Sequence, residues 1–293
     1  MKRIITHIEL GGTLFIPAIH KNLAPIISKQ KYPQLRSLVI DFEDGLDDEQ
    51  LQNGYEKVVS TLEVCSDTSP FIFIRPRDVN HLQTLLEMEG IENIDGFVLP
   101  KFSLTNGTQY LHLLERTDFY IMPSIEGEEL FNVEKLQQLK ELILTHKHKI
   151  LLVRFGLEDM LRQLSMRRSC DESVFDFAAG SAVIGNLIAI FKSAGLSISG
   201  GVYPCFQDDE GFKRDVLRDL KEGLFGKTII HPAQIDILNE LYKVTQEEYD
   251  EAQEILQSEN VVFEQNGKMA EQKTMQHYSE TIVQRAEVYG IKS

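Results

Sequence analysis

The chain has 293 residues, a length that corresponds to one large domain or to two ordinary ones. Its formal net charge of −15 argues against nucleic acid and anionic membrane surfaces as partners, because both require basic patches. An anionic substrate would need a metal ion or well-placed arginines in such a field. No run approaches about 18 uninterrupted apolar residues, so we expect no membrane span.

The three cysteines, Cys65, Cys170 and Cys205, show no CxxC spacing. This odd and dispersed set predicts neither a disulfide framework nor a structural zinc site, and it favours a reducing compartment. We expect Cys205 to be a half-buried, inert thiol. The opening residues MKRIITHIELGG lack the apolar core of a signal peptide, so we expect a cytoplasmic protein.

Eight short apolar runs alternate with longer segments of helical periodicity. The runs are continuous rather than alternating, as is typical of parallel strands that are buried on both faces. They lie at 13–17, 37–43, 71–75, 96–100, 119–126, 150–156, 196–204 and 228–232. Between them, segments such as 80–91 and 128–147 repeat apolar residues three and four positions apart.

Eight strand–helix units over about 250 residues predict an α/β fold of the TIM (β/α)8 barrel type. A doubly wound open sheet is the alternative, but the chain has no glycine-rich dinucleotide fingerprint. Two further helical patterns follow, at 245–257 and 273–290, and the polar segment 258–272 between them is expected to be a loop. The sequence thus predicts a TIM-barrel domain over residues 1–245 and a C-terminal helical extension with a reaching loop over residues 246–293.

Most of the runs end in a reactive side chain. In a TIM barrel the carboxyl ends of the strands form the active face, so these side chains are expected to converge on one site. They are Glu43 and Asp44 after the second run, Arg75 and Arg77 after the third, Lys101 after the fourth, Glu126 after the fifth, Glu158 and Asp159 after the sixth, and His231 after the eighth.

The acidic segment VIDFEDGLDDEQ, at 39–50, divides into two parts. Its second half begins a helix, with Asp47 as the predicted N-cap. Asp41 and Glu43 instead belong to the strand, and their side chains share the face opposite Phe42. Two carboxylates that face a barrel interior need a cation, hydrogen-bond donors or water, so this half indicates a site.

Glu126 and Asp159 end neighbouring strands, so their side chains are expected to meet. Two carboxylates with waters and substrate oxygens form a typical ligand set for Mg²⁺. The alternative is that each carboxylate pairs with an arginine such as Arg154 or Arg75. The spacing alone does not decide between these readings.

The motifs LFIP, VIDFEDGL, FIRPR, GFVLPK, PSIEG, RFGLEDM, GGVYP and GKTIIHPAQI occur in a characteristic order and spacing over roughly residues 10–290. In this the chain resembles the citrate lyase beta-subunit-like family, which belongs with the malyl-CoA lyases in the HpcH/HpaI aldolase superfamily. The resemblance implies a TIM-barrel lyase or aldolase that depends on Mg²⁺. Its substrate would be a small oxo- or hydroxy-acid, often bound as a thioester.

The resemblance also implies a role for individual residues. Glu126 and Asp159 match the metal-binding carboxylates of the family. Arg75 matches the arginine that grips a substrate carboxylate or oxyanion. Glu43 and Asp44 match acidic residues beside the metal, which act through its waters.

Three further matches lie at the mouth of the barrel or in the tail. Lys101 and His231 match residues that shape the mouth; the structural alternatives are an ion-pair partner for Lys101 and a hydrogen-bonding cap for His231. Glu271 in GKMAE stands where the family has an acid, usually Asp, from a neighbouring subunit. The resemblance therefore implies a homo-oligomer, a trimer or a dimer of trimers, in which a carboxylate such as Glu271 moves a proton.

Besides Glu271 in place of Asp, the chain departs from the family pattern at two places. It reads GGTLFIPA where many relatives carry R-S-x-L-F-V-P-G, and Arg75-Pro76-Arg77 where R-x-N is usual. Both departures argue against a coenzyme A or acyl-carrier thioester. The sequence thus predicts a Mg²⁺-dependent carbon–carbon lyase or aldolase for a small carboxylate substrate. A catalytically silent barrel that binds a metabolite or partner, and a thioester hydrolase on the same site, are the alternatives.

Overall fold

The computed structural model describes residues 3–258, 262–265 and 267–292. The chain forms two compact units, Met1–Ile235 and Asp236–Ser293. Each unit contains a buried apolar cluster of its own. The domain division anticipated from the sequence stays a prediction.

The first unit contains a sheet of parallel strands, each lying within one of the predicted apolar runs. They are β1 (Thr13–Pro17), β2 (Ser37–Asp41), β3 (Phe71–Arg75), β4 (Gly96–Leu99), β5 (Tyr120–Ile125), β6 (Arg154–Phe155) and β7 (Thr228–Ile229). Their order across the sheet is β6-β5-β4-β3-β2-β1-β7. Every residue of β2 and β4 is buried, as a sheet covered on both faces requires.

The seventh predicted run forms no regular strand, yet it occupies the remaining place in the ring. Ile198 makes a parallel bridge to Val153, next to β6. On its other side, the amide of Phe225 donates to the carbonyl of Ile198 over 3.0 Å, and the amide of Thr228 donates to that of Gly200 over 3.2 Å. These bonds join β6 to β7, and the predicted TIM-barrel fold is confirmed.

A buried ionic cluster lies beside this bridged segment. Lys227 is fully buried, and its Nζ lies 2.6 Å from Oδ2 of Asp215 and 2.5 Å from Oδ2 of Asp219. Arg168 joins the cluster through Oδ1 of Asp215, 3.0 Å away. A Cβ on Gly200 would lie 2.2 Å from Oδ2 of Asp219, so this close approach requires glycine.

Alternate residues of the strands fill the lower barrel interior with apolar side chains. Val39, Phe73, Val98, Met122 and Leu152 belong to one buried cluster. The register pairs Val39 with Phe73 and Val98 with Met122. Because side chains on one face of a strand recur every second residue, the next interior positions lie towards the carboxyl ends. Four of those five positions carry polar side chains, Asp41, Arg75, Ser124 and Arg154, and the fifth is Pro100.

The helices follow the predicted alternation with the strands. They are α1 (Leu23–Ile27), α2 (Leu51–Leu62), α3 (Val79–Leu86), α4 (Gly107–Leu114), α5 (Val133–Leu144), α6 (Leu157–Gln163), α7 (Ala178–Lys192), α8 (Asp209–Lys221) and α9 (Gln234–Tyr242). Asp47 occupies an N-cap position, but its side chain makes no capping hydrogen bond, and the segment begins as the 3-10 turn Asp48–Gln50. Among the described helices, none has the length and apolar character that a bilayer span requires.

The second unit contains α10 (Gln246–Gln257), an antiparallel hairpin of β8 (Val262–Gln265) and β9 (Lys268–Glu271), and α11 (Gln272–Tyr289). The prediction of a loop over 258–272 is therefore wrong for the hairpin strands. Gly267 has a φ of 76°, a conformation that glycine adopts without strain. The amino-acid sequence QNGK is typical of hairpin turns. Thr245 and Glu248 form a capping box at the start of α10.

Cys170 and Cys205 form a disulfide, with their Cα atoms 5.9 Å apart. The expectation of no disulfide, and of Cys205 as a free thiol, is wrong. Cys65 is a free cysteine, and burial raises its pKa to about 11, which makes it a poor nucleophile. The compartment in which the protein works stays a prediction.

Candidate active site

A cavity of about 370 Å³ opens at the carboxyl ends of the barrel strands. This volume lies within the range of about 300–1,000 Å³ that is typical of small-molecule sites. Five carboxylates and two guanidinium groups line it, so its walls carry excess negative charge. Of the residues that the sequence placed at the site, those that line the cavity are Asp41, Asp44, Arg75, Glu126, Glu158 and Asp159.

Glu126 and Asp159 converge on Gly156. Glu126 follows β5, Asp159 lies in the first turn of α6, and Gly156 connects β6 to α6. A Cβ at Gly156 would lie 2.6 Å from Cγ of Glu126 and 3.2 Å from Oδ2 of Asp159. The methylene stem of Glu126 and the carboxylate of Asp159 therefore both lie against Gly156, a position with no room for a larger side chain, and both residues line the same cavity.

The carboxylate of Glu126 is buried, with only 7% of the residue exposed. Oγ of Ser124 donates a hydrogen bond of 2.6 Å to its Oε1. Burial raises the pKa of Glu126 to about 7, and the nearby carboxylates of Glu43 and Asp159 add to the rise. A divalent cation would relieve both effects, because it supplies the compensating charge that the buried carboxylate lacks.

Asp159 is more exposed and forms an ion pair with Arg162, three residues further along α6. The side-chain amide of Gln163 donates to the backbone carbonyls of Glu126 and Asp159, over 2.6 and 3.2 Å. These bonds fix the end of β5 to α6. Among the described residues there is no cluster of three or more His, Cys, Asp or Glu side chains with metal-binding geometry. A cation at Gly156 would thus take two protein carboxylates and complete its shell with water or substrate, as Mg²⁺ does.

Arg75 is held by three carboxylates. Its Nε and Nη2 donate to the two oxygens of Asp41 over 2.7 and 2.6 Å, and Nη2 also donates to Asp44 over 2.8 Å. Its Nη1 lies 2.9 Å from Oε2 of Glu43. A guanidinium has five N–H groups, so these four contacts leave one N–H, on Nη1, for another acceptor. The strand register places Arg75 beside Asp41 and explains the two-point contact between them.

Glu43 is buried between two cations. Its side chain is 8% exposed, with Oε1 2.6 Å from Nζ of Lys101 and Oε2 close to Arg75. Burial raises the pKa of Glu43, while both cations oppose the rise. Lys101 reaches the site through this ion pair and does not itself line the cavity.

His231 follows β7 and stacks on Phe206, with ring centroids 4.7 Å apart. Its Nδ1 accepts a hydrogen bond of 3.2 Å from the amide of Ala233. Its side chain does not line the cavity, so the local contacts are those of a cap. Glu271 lies in the second unit, at the end of β9. The roles predicted for both residues stay predictions.

Arg77 holds the acidic loop that follows β2. Its Nε donates to the carbonyl of Phe42 over 2.9 Å, and its guanidinium pairs with Asp48. Phe42 itself is fully buried against Tyr55 and His81, on the face opposite Asp41 and Glu43, as predicted. The residue that replaces the family's usual asparagine thus positions the loop that carries Asp44.

Arg154 was expected only as an ion-pair partner, and its place in the cavity was not predicted. This residue is 2% exposed and lines the cavity. Its Nη2 donates to Oγ1 of Thr13 over 2.6 Å, and its Nη1 donates to Oγ1 of Thr228 over 3.0 Å. The ring of Phe15 lies 5.5 Å from Cζ of Arg154 and 5.3 Å from Cζ of Arg75. The available signal was a cation inside the apolar run ILLVRF.

The model of the family described as C-C_Bond_Lyase of the TIM-Barrel fold matches residues 4–291. The chain belongs to this family. It is also similar to citrate lyase subunit beta of Escherichia coli (strain K12), at 28% identity over 151 residues, which are 49% of this chain and 48% of that protein. The chain thus spans about half the length of this relative. It is 25% identical to the (3S)-malyl-CoA thioesterase of Cereibacter sphaeroides (strain KD131 / KCTC 12085) over 213 residues, 70% of this chain and 68% of that protein.

Two solved structures share the fold. A citrate lyase from Burkholderia xenovorans LB400 superposes with a TM-score of 0.74 and 19% identity, covering 100% of this chain and 94% of that one. CitE from Mycobacterium tuberculosis, solved with magnesium, acetoacetate and coenzyme A, superposes with a TM-score of 0.69 and 17% identity, covering 96% and 99%. At these identities the likeness establishes the fold alone. Together with the family match, it confirms the resemblance seen in the sequence.

Proposed function

We propose that this member of the C-C_Bond_Lyase family is a Mg²⁺-dependent lyase or aldolase that makes or breaks a carbon–carbon bond in a small oxo- or hydroxy-acid. The observation that carries the proposal is that Glu126 and Asp159 both lie against Gly156 and both line a cavity of small-molecule size. Magnesium in the related CitE structure supports the choice of cation.

The residues present fit Mg²⁺. This ion takes oxygen ligands and keeps several waters, so two carboxylates are a sufficient protein contribution. Glu126 is oriented by Ser124, and Asp159 is held by its helix. The cavity has more carboxylates than guanidinium groups, so it favours binding of a divalent cation. The same charge disfavours an anionic ligand when no cation is bound.

When bound, Mg²⁺ would supply Lewis-acid stabilisation of the enolate that forms when a carbon–carbon bond beside a carbonyl breaks. Arg75 lines the cavity, and its remaining N–H would donate to the same developing negative charge. Glu43 and Asp44 hold the Arg75 guanidinium in place, and Lys101 supports Glu43. This makes Arg75 a donor of fixed orientation.

The proton transfer is assigned to Glu271 of a neighbouring subunit, in a trimer or a dimer of trimers. The support is the family resemblance and the position of Glu271 at the end of a hairpin strand. A carboxylate is a suitable general acid or base for an enolate carbon. His231 is proposed to shape the mouth of the site.

The test is metal binding by isothermal titration and by thermal melting. Mg²⁺ should raise the melting temperature of the wild-type protein, since a ligand at 100 times its dissociation constant stabilises the folded state by about 2.7 kcal/mol. Asp159→Asn should abolish the rise with little change in the metal-free melt. Glu158→Gln is the matched control, because Glu158 is the neighbouring cavity carboxylate and is not a proposed ligand. An unchanged Mg²⁺ response in Asp159→Asn would contradict the assignment.

A second candidate is hydrolysis of a thioester on the same site, favoured by the match to a (3S)-malyl-CoA thioesterase over 70% of the chain. Malyl-CoA distinguishes the two reactions. Carbon–carbon cleavage would give glyoxylate and acetyl-CoA without a free thiol. Hydrolysis would give malate and a thiol that reacts with a disulfide dye. If neither reaction occurs with any thioester or free acid tested, the result would support a barrel that binds a ligand without catalysis.

A further inference from the structure

We propose that the disulfide between Cys170 and Cys205 is a redox modification site that controls one wall of the cavity. Its reduction by a dithiol loosens that wall and weakens the binding of the metal ion. The inference rests on the proposed function, because that function places the metal ion at this wall.

The disulfide joins the two segments that form the wall. Cys170 follows α6, whose first turn carries Asp159 at the cavity. Cys205 follows Val202, which lines the cavity from the other segment. The two cysteines are 35 positions apart in the sequence, so the bond holds together segments that the chain alone does not keep close.

The remaining contacts across this seam are made by side chains. Oη of Tyr203 donates to the carbonyl of Cys170 over 2.8 Å, and the guanidinium of Arg168 donates to the carbonyl of Val202. Both cysteines lie outside helices and strands. Proteins open most readily where backbone hydrogen bonds are few, so we infer that the covalent bond limits how often this seam opens.

A reductant can approach the bond from solvent, since Cys170 is exposed and Cys205 is half-buried. A thiolate of the dithiol attacks one sulfur and forms a mixed disulfide, and its second thiol then displaces the protein. The two cysteines gain two electrons and two protons and become thiols, while the dithiol becomes a disulfide. A cavity of about 130 Å³ lies beside Cys170, so this residue has space to move once it is released.

The effect reaches the metal site through α6. The side-chain amide of Gln163, the last residue of this helix, donates to the carbonyl of Glu126 over 2.6 Å. Cys170 holds the segment that follows. A helix of seven residues is not stable by itself, so its orientation depends on such tertiary contacts. Loss of the disulfide removes one of them, and Asp159 then spends less time in the position that it needs beside Glu126.

The experiment compares the oxidised protein with the same protein kept reduced by dithiothreitol. Hydrogen–deuterium exchange is followed in peptides that cover 164–173 and 200–207, the wall peptides, with peptides over 37–41 and 71–75 as references. Mg²⁺ affinity is measured on both samples by titration calorimetry. The double variant Cys170→Ser, Cys205→Ser cannot form the bond. Cys65→Ser is the control, because it removes the free cysteine and leaves the disulfide.

We expect reduction to speed exchange in the wall peptides by at least about tenfold, because the bond no longer opposes opening of the seam. The reference peptides should change by less than about twofold, since their strands pair over five residues. The apparent dissociation constant for Mg²⁺ should rise at least about threefold, as the binding-competent fraction falls. The double variant should behave as the reduced protein in both buffers, and Cys65→Ser should respond as wild type does.

Equal exchange of the wall peptides in the two states would overturn the inference, as would an equal acceleration of the reference peptides. A Mg²⁺ affinity that is the same in both states would also overturn it. If the double variant does not fold by circular dichroism, the reduced wild type decides. Failure of the proposed function looks different: Mg²⁺ would bind in neither state, and exchange in the wall peptides would then decide whether the disulfide controls the cavity wall.

Discussion

Removing the charge of Glu126 should stabilise the metal-free protein at alkaline pH. An unfolded glutamate titrates at its ordinary value near 4.5, whereas burial raises the pKa of Glu126 to about 7 in the folded protein. Between these values the folded state binds a proton that the unfolded state has released. The free energy of unfolding therefore falls as pH rises through this window and levels off above it.

The expected size follows from the shift. At about 1.36 kcal/mol for each pH unit, a displacement from 4.5 to about 7 corresponds to about 3 kcal/mol. Glu126→Gln resembles the protonated acid and still accepts from Ser124. With EDTA present, the variant should exceed the wild type's free energy of unfolding by less than about 1 kcal/mol at pH 5 and by about 3 kcal/mol at pH 8. Saturating Mg²⁺ should remove that advantage by stabilising only the wild type.

The assay is urea unfolding followed by circular dichroism at 222 nm, since the chain has no tryptophan to report. Glu89→Gln, at an exposed glutamate, controls for the loss of one negative charge. A difference between wild type and Glu126→Gln that is the same at pH 5 and pH 8 would refute the electrostatic reasoning. If Mg²⁺ raised the free energy of unfolding equally in both proteins, Glu126 would not be a metal ligand.

Arg75→Lys keeps the positive charge but loses the planar guanidinium that can contact a carboxylate at two points. Titration calorimetry should therefore show weaker binding of oxaloacetate, glyoxylate or pyruvate and a nearly unchanged affinity for Mg²⁺. Loss of both affinities would mean that Arg75 only organises the carboxylates. Mixing inactive Asp159→Asn subunits with inactive Glu271→Gln subunits should restore part of the lyase activity, whereas a fully active monomer in size-exclusion light scattering would rule out the shared site. Reducing the disulfide between Cys170 and Cys205, 35 residues apart, should lower the free energy of unfolding by about 3–4 kcal/mol in urea. An unchanged urea midpoint after complete reduction would show that the disulfide does not constrain the unfolded chain.

Much of the barrel could be predicted because each buried strand is marked by its own short run of apolar residues. A strand that is buried on both faces must be apolar throughout, so the runs at 13–17 and 71–75 correspond to β1 and β3 residue for residue. The run at 196–204 was equally apolar, but its glycines Gly200 and Gly201 weaken a strand, and only one bridge forms. The hairpin after α10 was missed because its polar composition outweighed its turn signal.

The site was partly predictable for the same reason. Residues at strand ends are placed by topology, so Glu126 and Asp159 could be expected to meet before any contact was known. The disulfide could not be found in this way, because it joins residues 35 positions apart in two irregular segments. Lys101 was expected at the mouth itself, whereas a left-handed φ of 47° and an ion pair with Glu43 direct it to the rim. Such contacts depend on the folded geometry.

The number of backbone hydrogen bonds between neighbouring strands varies around the barrel. β1, β2 and β3 pair over five residues at each junction, whereas β6 and β7 have two residues each and are joined through the bridged segment at Ile198. Native proteins open first where backbone hydrogen bonds are few. Thermal fluctuations should therefore be larger on the side of the barrel that carries Arg154 and Thr228. The buried ion pairs of Lys227 are the contacts that hold this side together. Arg75 on β3 and Arg154 on β6 both line the cavity, so a ligand there would contact both sides of the wall, and its binding should reduce the fluctuations of β6 and β7.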